Sequence, residues 1–364
     1  MTSTCRMGMA AALVVLLSCI MPECGSSPTR PGAPGSGPAQ DVPPPVIPPP
    51  GPDDVSIAAV GDIMLDRGVA EAIAHNGLDS ILPVVAGQLN AAALAFANLE
   101  CPLAAAGPHD PAKMIFRADP RTVGVLLQGG FDIVSLANNH TLDAGPAALV
   151  ETIDHLEDVG IKYVGAAREP ARGSDPVFLD ARGTRIGFLA YTDLDFRYDS
   201  QSRVDPGLTN LRAQVAAARD SCDLLVVSFH WGVQDSEVPT HRQADVARAS
   251  IDAGADLILG HHPHVLQGAE VYKRRLILYS MGDFVFDART ADEAEGGIFE
   301  VYYRPGVGLE LWMAPVRIAS SRMGPEYPAA AERDLLLRRF AQMSAARGTA
   351  ITIVNGLAYL DCPF

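Results

Sequence analysis

Residues 55–62 read VSIAAVGD, an apolar run of six residues that ends in a glycine and a carboxylate. Such a run has the length and composition of a buried strand. Further short apolar runs predict strands at Leu94–Ala97, Asp132–Ala137, Arg185–Tyr191, Leu224–Phe229, Leu257–Leu259 and Leu276–Tyr279. Helical patterns occupy Pro146–Val159, Arg242–Ala253 and Glu332–Ala346, and Thr349–Val354 is predicted as a closing strand. Strands that alternate with helices predict one α/β domain over residues 55–364.

The predicted strands share a second feature, because metal-capable polar side chains follow five of them. These groups are Gly61-Asp62, Asn98-Leu99-Glu100, Asn138-Asn139-His140, His230-Trp231-Gly232 and Gly260-His261-His262-Pro263-His264. In α/β sheets, ligand sites form beyond the carboxyl ends of the strands. We therefore expect the five groups to converge in space although they are scattered along the chain.

Carboxylates, an amide and imidazoles form a ligand set of oxygen and nitrogen atoms. This set suits Mn, Fe, Zn or Mg and needs no thiolate. A carboxylate can bridge two ions, and we assign that role to Glu100. Two adjacent ions can generate a hydroxide and stabilise both the attacking and the leaving oxygen. The sequence thus predicts one or two divalent metal ions.

The five groups differ in how specifically they indicate a metal. Gly61-Asp62 alone fits a turn or a helix cap equally well, whereas three imidazoles within His261–His264 are hard to explain by packing. In that cluster, His261 could replace His262 as a ligand. Residues more typical of packing or of capping are Trp231, Asp66 and Asp143.

The first residues are typical of an export signal. Arg6 supplies a positive charge, and Met9–Leu17 is an apolar run too short for a bilayer span of about 20 residues. Residues 16–19, LLSC, resemble a bacterial lipobox, in which Cys19 would carry lipid and anchor the chain to the cell membrane. An ordinary secretory signal cut elsewhere is the alternative. Residues 20–54, rich in proline and glycine, predict a tether that holds the domain outside the cytoplasm.

Charge and cysteine content argue against two further classes. The formal net charge of −15 would repel nucleic-acid backbones, so we expect no nucleic-acid partner. An anionic polymer would also be repelled unless a metal ion or a basic patch offset the field. Of six cysteines, Cys101, Cys222 and Cys362 fall in the domain. They lack zinc-thiolate spacing but would allow one disulfide.

In their order along the chain, the five groups resemble the motifs of the CapA family of capsule and poly-γ-glutamate synthesis proteins. The resemblance also includes Asp143, Gly145 and Tyr279-Ser280-Met281-Gly282-Asp283-Phe284, and it extends from Val55 to about Ile318. CapA proteins are related to the calcineurin-like metallophosphoesterases. The resemblance therefore implies a four-layer α-β-β-α sandwich with the site at one edge of two sheets.

Site residues follow from the same resemblance by position. Asp62, Glu100 and His264 would hold one ion, and Glu100, Asn139, His230 and His262 would hold the second. His140 would lie just outside them, as a general acid or as a charge stabiliser near the leaving group.

The chain departs from the related pattern at three places. Metallophosphoesterases usually begin Asp-x-His, but here Met64 takes the third place, and a thioether is a poor ligand for hard ions. Glu100 replaces a bridging Asp, and Asp283 stands where CapA relatives more often have Asn. The first metal position is therefore short of one ligand, and occupancy by a single ion stays an alternative.

Export and the clustered ligands favour a metal-dependent hydrolase or transferase that acts on an anionic surface polymer or a phosphate ester. Arg67, Lys113 and Arg117 could face such a substrate, although solvated surface charge explains them equally well. A non-catalytic protein that binds poly-γ-glutamate or joins a capsule synthase complex is the alternative, motivated by the tether and Met64. A phosphatase that scavenges phosphoesters is a third hypothesis, which the motif order disfavours.

Overall fold

The computed structural model describes residues 45–194, 202–204 and 206–364 of the 364-residue chain. The predicted export signal, the predicted lipid attachment at Cys19 and tether residues 20–44 lie outside these ranges. Among the described residues, no helix combines the length and the hydropathy that crossing a membrane requires.

Within those ranges the chain forms sixteen strands and seven α-helices. The strands are β1 (Val55–Ile63), β2 (Leu94–Leu99), β3 (Ile133–Ser135), β4 (Lys162–Val164), β5 (Val177–Ala181), β6 (Thr184–Thr192), β7 (Leu224–His230), β8 (Leu257–His261), β9 (Ala269–Tyr272), β10 (Arg275–Leu278), β11 (Asp283–Val285), β12 (Glu295–Arg304), β13 (Gly308–Ala319), β14 (Gly324–Glu326), β15 (Thr352–Val354) and β16 (Leu357–Pro363). The helices are α1 (Arg67–Asn76), α2 (Ala86–Leu89), α3 (Val123–Gly129), α4 (Pro146–Asp158), α5 (Thr209–Arg219), α6 (His241–Asp252) and α7 (Ala330–Ala345).

The strands assemble into two sheets. The first has the order β15-β16-β13-β12-β1-β2-β3-β4, with β11 paired to β1 and β14 to β13. In it, β1 to β4 are parallel, whereas β12, β13 and β16 are antiparallel to their neighbours. The second sheet has the order β5-β6-β7-β8-β10-β9, with β6, β7, β8 and β10 parallel. The predicted α/β class is confirmed.

Side chains of β1 alternate between two apolar cores, because successive residues of a strand point to opposite faces. Ala58 and Val60 belong to the core that α1, α3 and α4 cover. Ile57 and Ala59 belong to a core that also includes residues of β6, β7 and β8 and therefore lies between the two sheets. A third core joins the second sheet to α5 and α6.

Two of the covering helices begin at clear sequence signals. Helix α6 starts with a capping box, in which the Thr240 side chain accepts from the Gln243 amide and the Gln243 side chain accepts from the Thr240 amide. Helix α4 starts at Pro146, directly after Gly145 with φ 92°. Proline is favoured there because the first helical N–H has no intrahelical partner.

Some predicted boundaries shift in the structure. The predicted strand Asp132–Ala137 shortens to β3, and the predicted closing strand at Thr349–Val354 is only partly right, since β15 starts at Thr352 and β16 ends the sheet. The long antiparallel strands β12 and β13 are absent from the sequence prediction. Their hairpin adds ten and twelve residues to the first sheet.

Ordered contacts begin before residue 55. The Tyr302 hydroxyl on β12 donates a 2.6 Å hydrogen bond to the Pro48 carbonyl, and Ile47 packs against the core on the helix side of the first sheet. The last residues of the predicted tether therefore contact the domain. Cys101, Cys222 and Cys362 are free thiols, so the disulfide that the sequence would allow is not formed between these three cysteines.

Candidate metal centre

Four parallel strands bring the predicted ligands to one edge. Asp62 pairs in register with Asn98 of β2 in the first sheet, and His230 pairs with His261 of β8 in the second. The two sheets meet at these residues, because His261 Nδ1 lies 3.1 Å from Asp62 Oδ1. Carboxyl ends of strands from both sheets therefore converge, as the sequence predicts.

A close backbone approach fixes the start of the site. The Asp62 amide donates a 3.1 Å hydrogen bond to the Gly282 carbonyl, and Asp62 is paired in parallel register with Asp283. A Cβ atom on Gly61 would lie 1.8 Å from the Gly282 oxygen, so a side chain at residue 61 would push β1 and β11 apart. Glycine at 61 thereby sets Asp62 beside Asp283.

The first ligand group consists of Asp62, His264 and Asp283, each with one ligand atom within 4.8 Å of the others. His264 Nδ1 lies 2.8 Å from Asp283 Oδ1 and 3.6 Å from Asp62 Oδ2. All three residues are buried. Asp62 and His264 are where the resemblance placed them, and Asp283 is an addition.

The second ligand group consists of Glu100, His230 and His262, again with one ligand atom each within 4.8 Å of the others. His230 Nε2 lies 2.7 Å from Asn139 Oδ1 and 3.6 Å from Glu100 Oε1. Asn139 therefore borders this group, so the four residues that the resemblance assigned to the second ion are together.

The Glu100 carboxylate of the second group also lies next to the first, with Oε1 3.7 Å from His264 Nε2. The Glu100 side chain is fully buried, and among the described residues neither carboxylate oxygen has a hydrogen-bond partner. Nitrogens of His140, His230 and His264 lie 3.6 to 3.9 Å from Oε1, beyond hydrogen-bond distance. A buried, unpaired carboxylate is costly, and a divalent cation would remove that cost. The donors present therefore fit one or two divalent ions.

The buried carboxylates of the site raise the pKa values of several of its groups. Burial and the charge of Asp62 raise the pKa of Glu100 well above its usual value. Burial also raises the pKa of Asp283 to about 7. Although burial opposes it, the charges of Asp283 and Glu100 raise the pKa of His264 to about 10. Bound cations would have to displace these protons.

The two imidazoles of the second group, His230 and His262, favour the neutral form that binds metals. Burial and the neighbouring charge of His262 hold the pKa of His230 well below its usual value. Burial and His264 lower the pKa of His262 to about 3. Neutral imidazole nitrogens can act as ligands without first losing a proton.

Asp62 is held by a set of buried donors. Asn98 Nδ2 donates to Asp62 Oδ1 at 2.8 Å, and the His262 amide donates to Oδ2 at 3.0 Å. Asn138 in turn donates to Asn98 Oδ1 at 3.1 Å. Although burial alone would raise the pKa of Asp62, the hydrogen bond and charge of His261 lower it below its usual value. The sequence named both asparagines in its groups but did not foresee this supporting role.

The alternative between His261 and His262 favours His262. His262 belongs to the second group, whereas His261 turns Nδ1 to Asp62. Both His262 and His264 have positive φ angles, 93° and 57°, which non-glycine residues adopt at a cost of about 1–3 kcal/mol each. The loop stores this strain where the two imidazoles enter the site.

His140 lies beside the ligand groups and belongs to neither. Its Nδ1 is 2.8 Å from Asp143 Oδ2, and the Phe116 amide donates to the same oxygen at 2.8 Å. The ring stacks near Phe116, with centroids 4.3 Å apart. Its Nε2 is 3.9 Å from Glu100 Oε1. Asp143 thus orients His140 so that Nε2 faces the site.

Of the three predicted substrate residues, Arg67 is nearest to the site. Its guanidinium lies 4.6 Å from the Phe116 ring and 5.5 Å from the Phe286 ring, and Phe286 stacks near His264. Asp287 forms an ion pair with it.

Lys113 and Arg117 make their contacts outside the ligand groups. The Lys113 side chain is 75% exposed, and its Nζ lies 2.7 Å from Asp110 Oδ2. The Arg117 guanidinium donates to the Gly107 carbonyl at 2.8 Å, and its amide donates to Asp66. Neither side chain is bonded to a ligand residue among the contacts described.

Met64 does not reach the ligand groups. Its sulfur accepts a 3.1 Å hydrogen bond from the Asp66 amide, and the side chain packs in the core under α1, α3 and α4. The ligand missing at position 64 is therefore not replaced by this thioether. Asp283 comes after the predicted strand Leu276–Tyr279, so the signal for it was the same one that marked the other groups.

Comparisons with known proteins agree with the motif order. The model of the family described as bacterial capsule synthesis protein PGA_cap matches residues 56–288. A capsule biosynthesis protein CapA of Bacillus anthracis is 33% identical over 286 residues, covering 75% of this chain and 70% of the relative. A PGA biosynthesis protein CapA of Bacillus subtilis (strain 168) is 33% identical over 254 residues, covering 66% and 67%.

Solved structures resemble the chain more remotely. A hypothetical protein from Thermus thermophilus has 17% identity and a TM-score of 0.44, covering 72% of this chain and 100% of its own. A novel phosphatase from Mycoplasma pneumoniae has 12% identity and a TM-score of 0.43, covering 72% and 88%.

Proposed function

The chain belongs to the PGA_cap family of bacterial capsule synthesis proteins, and we propose that it is a metal-dependent hydrolase or transferase of capsule assembly. Its substrate would be an anionic surface polymer of the poly-γ-glutamate type or a phosphate ester. The relatives from Bacillus, named for capsule and PGA biosynthesis, support the polymer as the first choice.

One observation carries this proposal. Glu100 is fully buried with two unpartnered oxygens, and it lies where the two ligand groups adjoin. Asp62, His264 and Asp283 would hold one divalent cation, and Asn139, His230 and His262 a second, with Glu100 shared between them. Such ions, when bound, activate water or another nucleophile and stabilise negative charge on a leaving oxygen.

His140 would supply the proton transfer. With Nδ1 hydrogen-bonded to Asp143, a protonated Nε2 could give its proton to the atom that leaves, and then recover one from the attacking water or hydroxyl. Phe116 covers one face of the ring and helps to exclude bulk water. Arg67, held over Phe116 and Phe286, would offer positive charge to an anionic group of the substrate.

The location of this activity is part of the proposal. Met9–Leu17 and the residues LLSC at 16–19 support export, with Cys19 as the lipid-bearing residue. We place the domain outside the cytoplasm, close to its polymer. Mass spectrometry of the mature amino terminus tests this, and a mature chain that starts beyond Cys19 without lipid would contradict it.

The activity has a direct test. We would purify the full chain, measure bound transition metals, and assay poly-γ-glutamate and phosphodiesters with Mn²⁺, Fe²⁺ or Zn²⁺ added. Replacing His140 by Asn should lower turnover by about 100- to 10,000-fold and leave the metal content unchanged. His155→Asn on α4 is the control, because His155 only approaches Glu151 at 3.5 Å on the helix surface.

A polymer-binding role without chemistry is the second candidate. The Met64 sulfur points into the core, which leaves the first group without the histidine that metallophosphoesterases usually have. Bound metal with no turnover of any substrate, together with polymer binding that is lost in Asp62→Ala, would favour this role. A chain that retains no metal when Mn²⁺, Fe²⁺ or Zn²⁺ is supplied would contradict the metal-dependent enzyme and favour a binding or scaffold role.

A further inference from the structure

We propose that Asp283 is a direct ligand of the first group and makes that position select a hard cation such as Mn²⁺ over Zn²⁺. The inference rests on the proposed metal centre and specifies which ion each position takes. It concerns the residue that compensates for Met64.

The backbone places Asp283 where a ligand is missing. Asp283 opens β11 and is paired in parallel with Asp62 of β1, and the Asp62 amide donates to the Gly282 carbonyl at 3.1 Å, so the two strands are in close contact at this point. The two carboxylates therefore project from neighbouring strands toward the same imidazole, His264.

Asp283 also has an oxygen to spare. Its Oδ1 is hydrogen-bonded to His264 Nδ1 at 2.8 Å, but Oδ2 has no hydrogen-bond partner in the described part of the chain. The residue is 1% exposed, so water does not solvate the second oxygen. A buried carboxylate oxygen of this kind needs a positive partner. Glu100, the other carboxylate of the site without a hydrogen bond, lies 3.7 Å from His264 Nε2, whereas Asp283 contacts Nδ1 of the same ring.

The two groups then differ in chemistry. The first offers carboxylate oxygens from Asp62, Asp283 and Glu100 and a single imidazole. The second offers two imidazoles, from His230 and His262, with Asn139 and the shared Glu100. Carboxylates suit Mg²⁺ and Mn²⁺, whereas imidazoles suit Zn²⁺ and Fe²⁺. The first position should therefore prefer the harder ion.

The rival interpretation gives Asp283 only the task of orienting His264. A carboxylate that accepts from a ligating histidine fixes the ring and raises its basicity. An asparagine oxygen at residue 283 could still accept that hydrogen bond, so Asp283→Asn separates the two roles. Loss of an orienting charge would weaken ions that favour nitrogen ligands at least as much as Mn²⁺.

The experiment compares the wild-type full chain with Asp283→Asn. Mn²⁺ binding is measured by electron paramagnetic resonance and calorimetry, and Zn²⁺ binding by competition and elemental analysis. We expect Asp283→Asn to weaken Mn²⁺ at one position by at least ~10-fold and to shift that position toward Zn²⁺. Asp66→Asn is the matched control, since Asp66 is a buried carboxylate bonded to His109 and the Arg117 amide, outside both groups.

The possible outcomes test the ligand role of Asp283 separately from the proposed function. Equal loss of Mn²⁺ and Zn²⁺, or a larger loss of Zn²⁺, would overturn the ligand role and leave Asp283 as an orienting residue. Unchanged binding of both ions would overturn it as well. A wild-type chain that binds neither ion would instead contradict the proposed function, and thermal unfolding of each variant would show that the fold is retained.

Discussion

The first sheet has a parallel half, β1 to β4, and an antiparallel half, β12, β13 and β16. The two halves differ in whether their buried carboxylates have hydrogen-bond or ion-pair partners. In the antiparallel half, Glu310 is paired with Arg304 and accepts from Trp312 Nε1 at 2.5 Å. Glu300 Oε1 lies 3.2 Å from the Tyr302 hydroxyl and shares its single hydrogen with the Pro48 carbonyl, which is closer at 2.6 Å. In the parallel half, Glu100 is equally buried and has no such donor.

This difference indicates that the antiparallel half of the sheet has a structural role and that the parallel half carries the candidate site. A buried carboxylate that is paired with its own cation and donor, such as Glu310, needs no further partner. A buried carboxylate without donors costs stability until something else supplies the positive partner. The antiparallel half can therefore hold β1 in place, while the parallel half carries the groups that await a ligand.

The largest effect should come from adding one methyl group to each half. In Gly61→Ala the new Cβ would meet the Gly282 carbonyl at 1.8 Å, a backbone atom that cannot yield. In Gly297→Ala on β12 the neighbours are side-chain atoms, the end of Met313 at 2.8 Å and the Phe299 ring at 2.9 Å, and Met313 can move. We expect Gly61→Ala to cost more than ~4 kcal/mol and Gly297→Ala about 1–3 kcal/mol.

Denaturant unfolding of both variants measures these costs, and bound metal should fall only in Gly61→Ala. Equal costs in the two halves would show that the backbone contact at Gly61 is not what holds Asp62 beside Asp283.

A second prediction is that Glu100→Gln changes stability in opposite directions without and with bound metal. Without metal, Glu100→Gln should stabilise the protein by about 1–3 kcal/mol. At neutral pH, folding must either protonate the buried Glu100 or keep it charged beside Asp62, and the neutral amide avoids both costs. With saturating metal the substitution should destabilise the protein, because a shared ligand is lost. Glu310→Gln should destabilise in both conditions, since it leaves Arg304 without its partner.

Thermal unfolding with and without added Mn²⁺ checks this prediction. A Glu100→Gln variant that is destabilised equally in both conditions would mean that Glu100 finds a donor within the protein, and the comparison between the halves would fail.

The smallest predicted effect is on how the free energy of unfolding depends on pH. Asp119 and Glu300 should contribute to it with opposite signs. Side-chain and backbone hydrogen bonds from Arg121 lower the pKa of Asp119, before α3, from 3.8 to about 2. Its contribution to stability is present above pH 3.8 and is lost as the pH falls through 2. Burial raises the pKa of Glu300 above 4.5 despite its hydrogen bond with Tyr302. Its contribution is greatest below pH 4.5 and falls as the pH rises.

Acid titration of unfolding free energy tests both residues. Asp119→Asn should flatten the loss of stability between pH 4 and pH 2, by a small amount because Asp119 is largely exposed. Glu300→Gln should raise stability near neutral pH relative to pH 4. If the free energy of unfolding changed with pH in the same way in both variants, the opposite contributions of Asp119 and Glu300 would be contradicted.

Sequence patterns predicted the parallel half better than the antiparallel half, for physical reasons. Asp62 and Glu100 each follow an apolar run that local composition reveals. Strand β12 begins Glu295-Gly296-Gly297 and includes the buried Glu300, so its composition does not indicate a strand. Its place depends on pairing with β1 and β13, which no local pattern contains.

The same limit applies inside the site. That Asp62 would lie between Asn98 and His261 depends on the register of β1 with β2 and on contact between two sheets. Asp283 carried the local signal, but its pairing with β1 is a long-range contact. The resemblance supplied the partition into two groups, and the partner of Asp62 at residue 283 required the fold.

The direction of β1 separates the amino end of the domain from the candidate metal centre. The chain enters β1 at Val55, next to the Pro48 contact on β12, and leaves it at the site, so attachment point and site lie at opposite ends of the strand. Seven residues separate Val55 from Asp62, a span of about 23 Å at about 3.3 Å per residue. A chain held by its amino end would therefore carry the candidate metal centre at the end of β1 that lies away from the attachment.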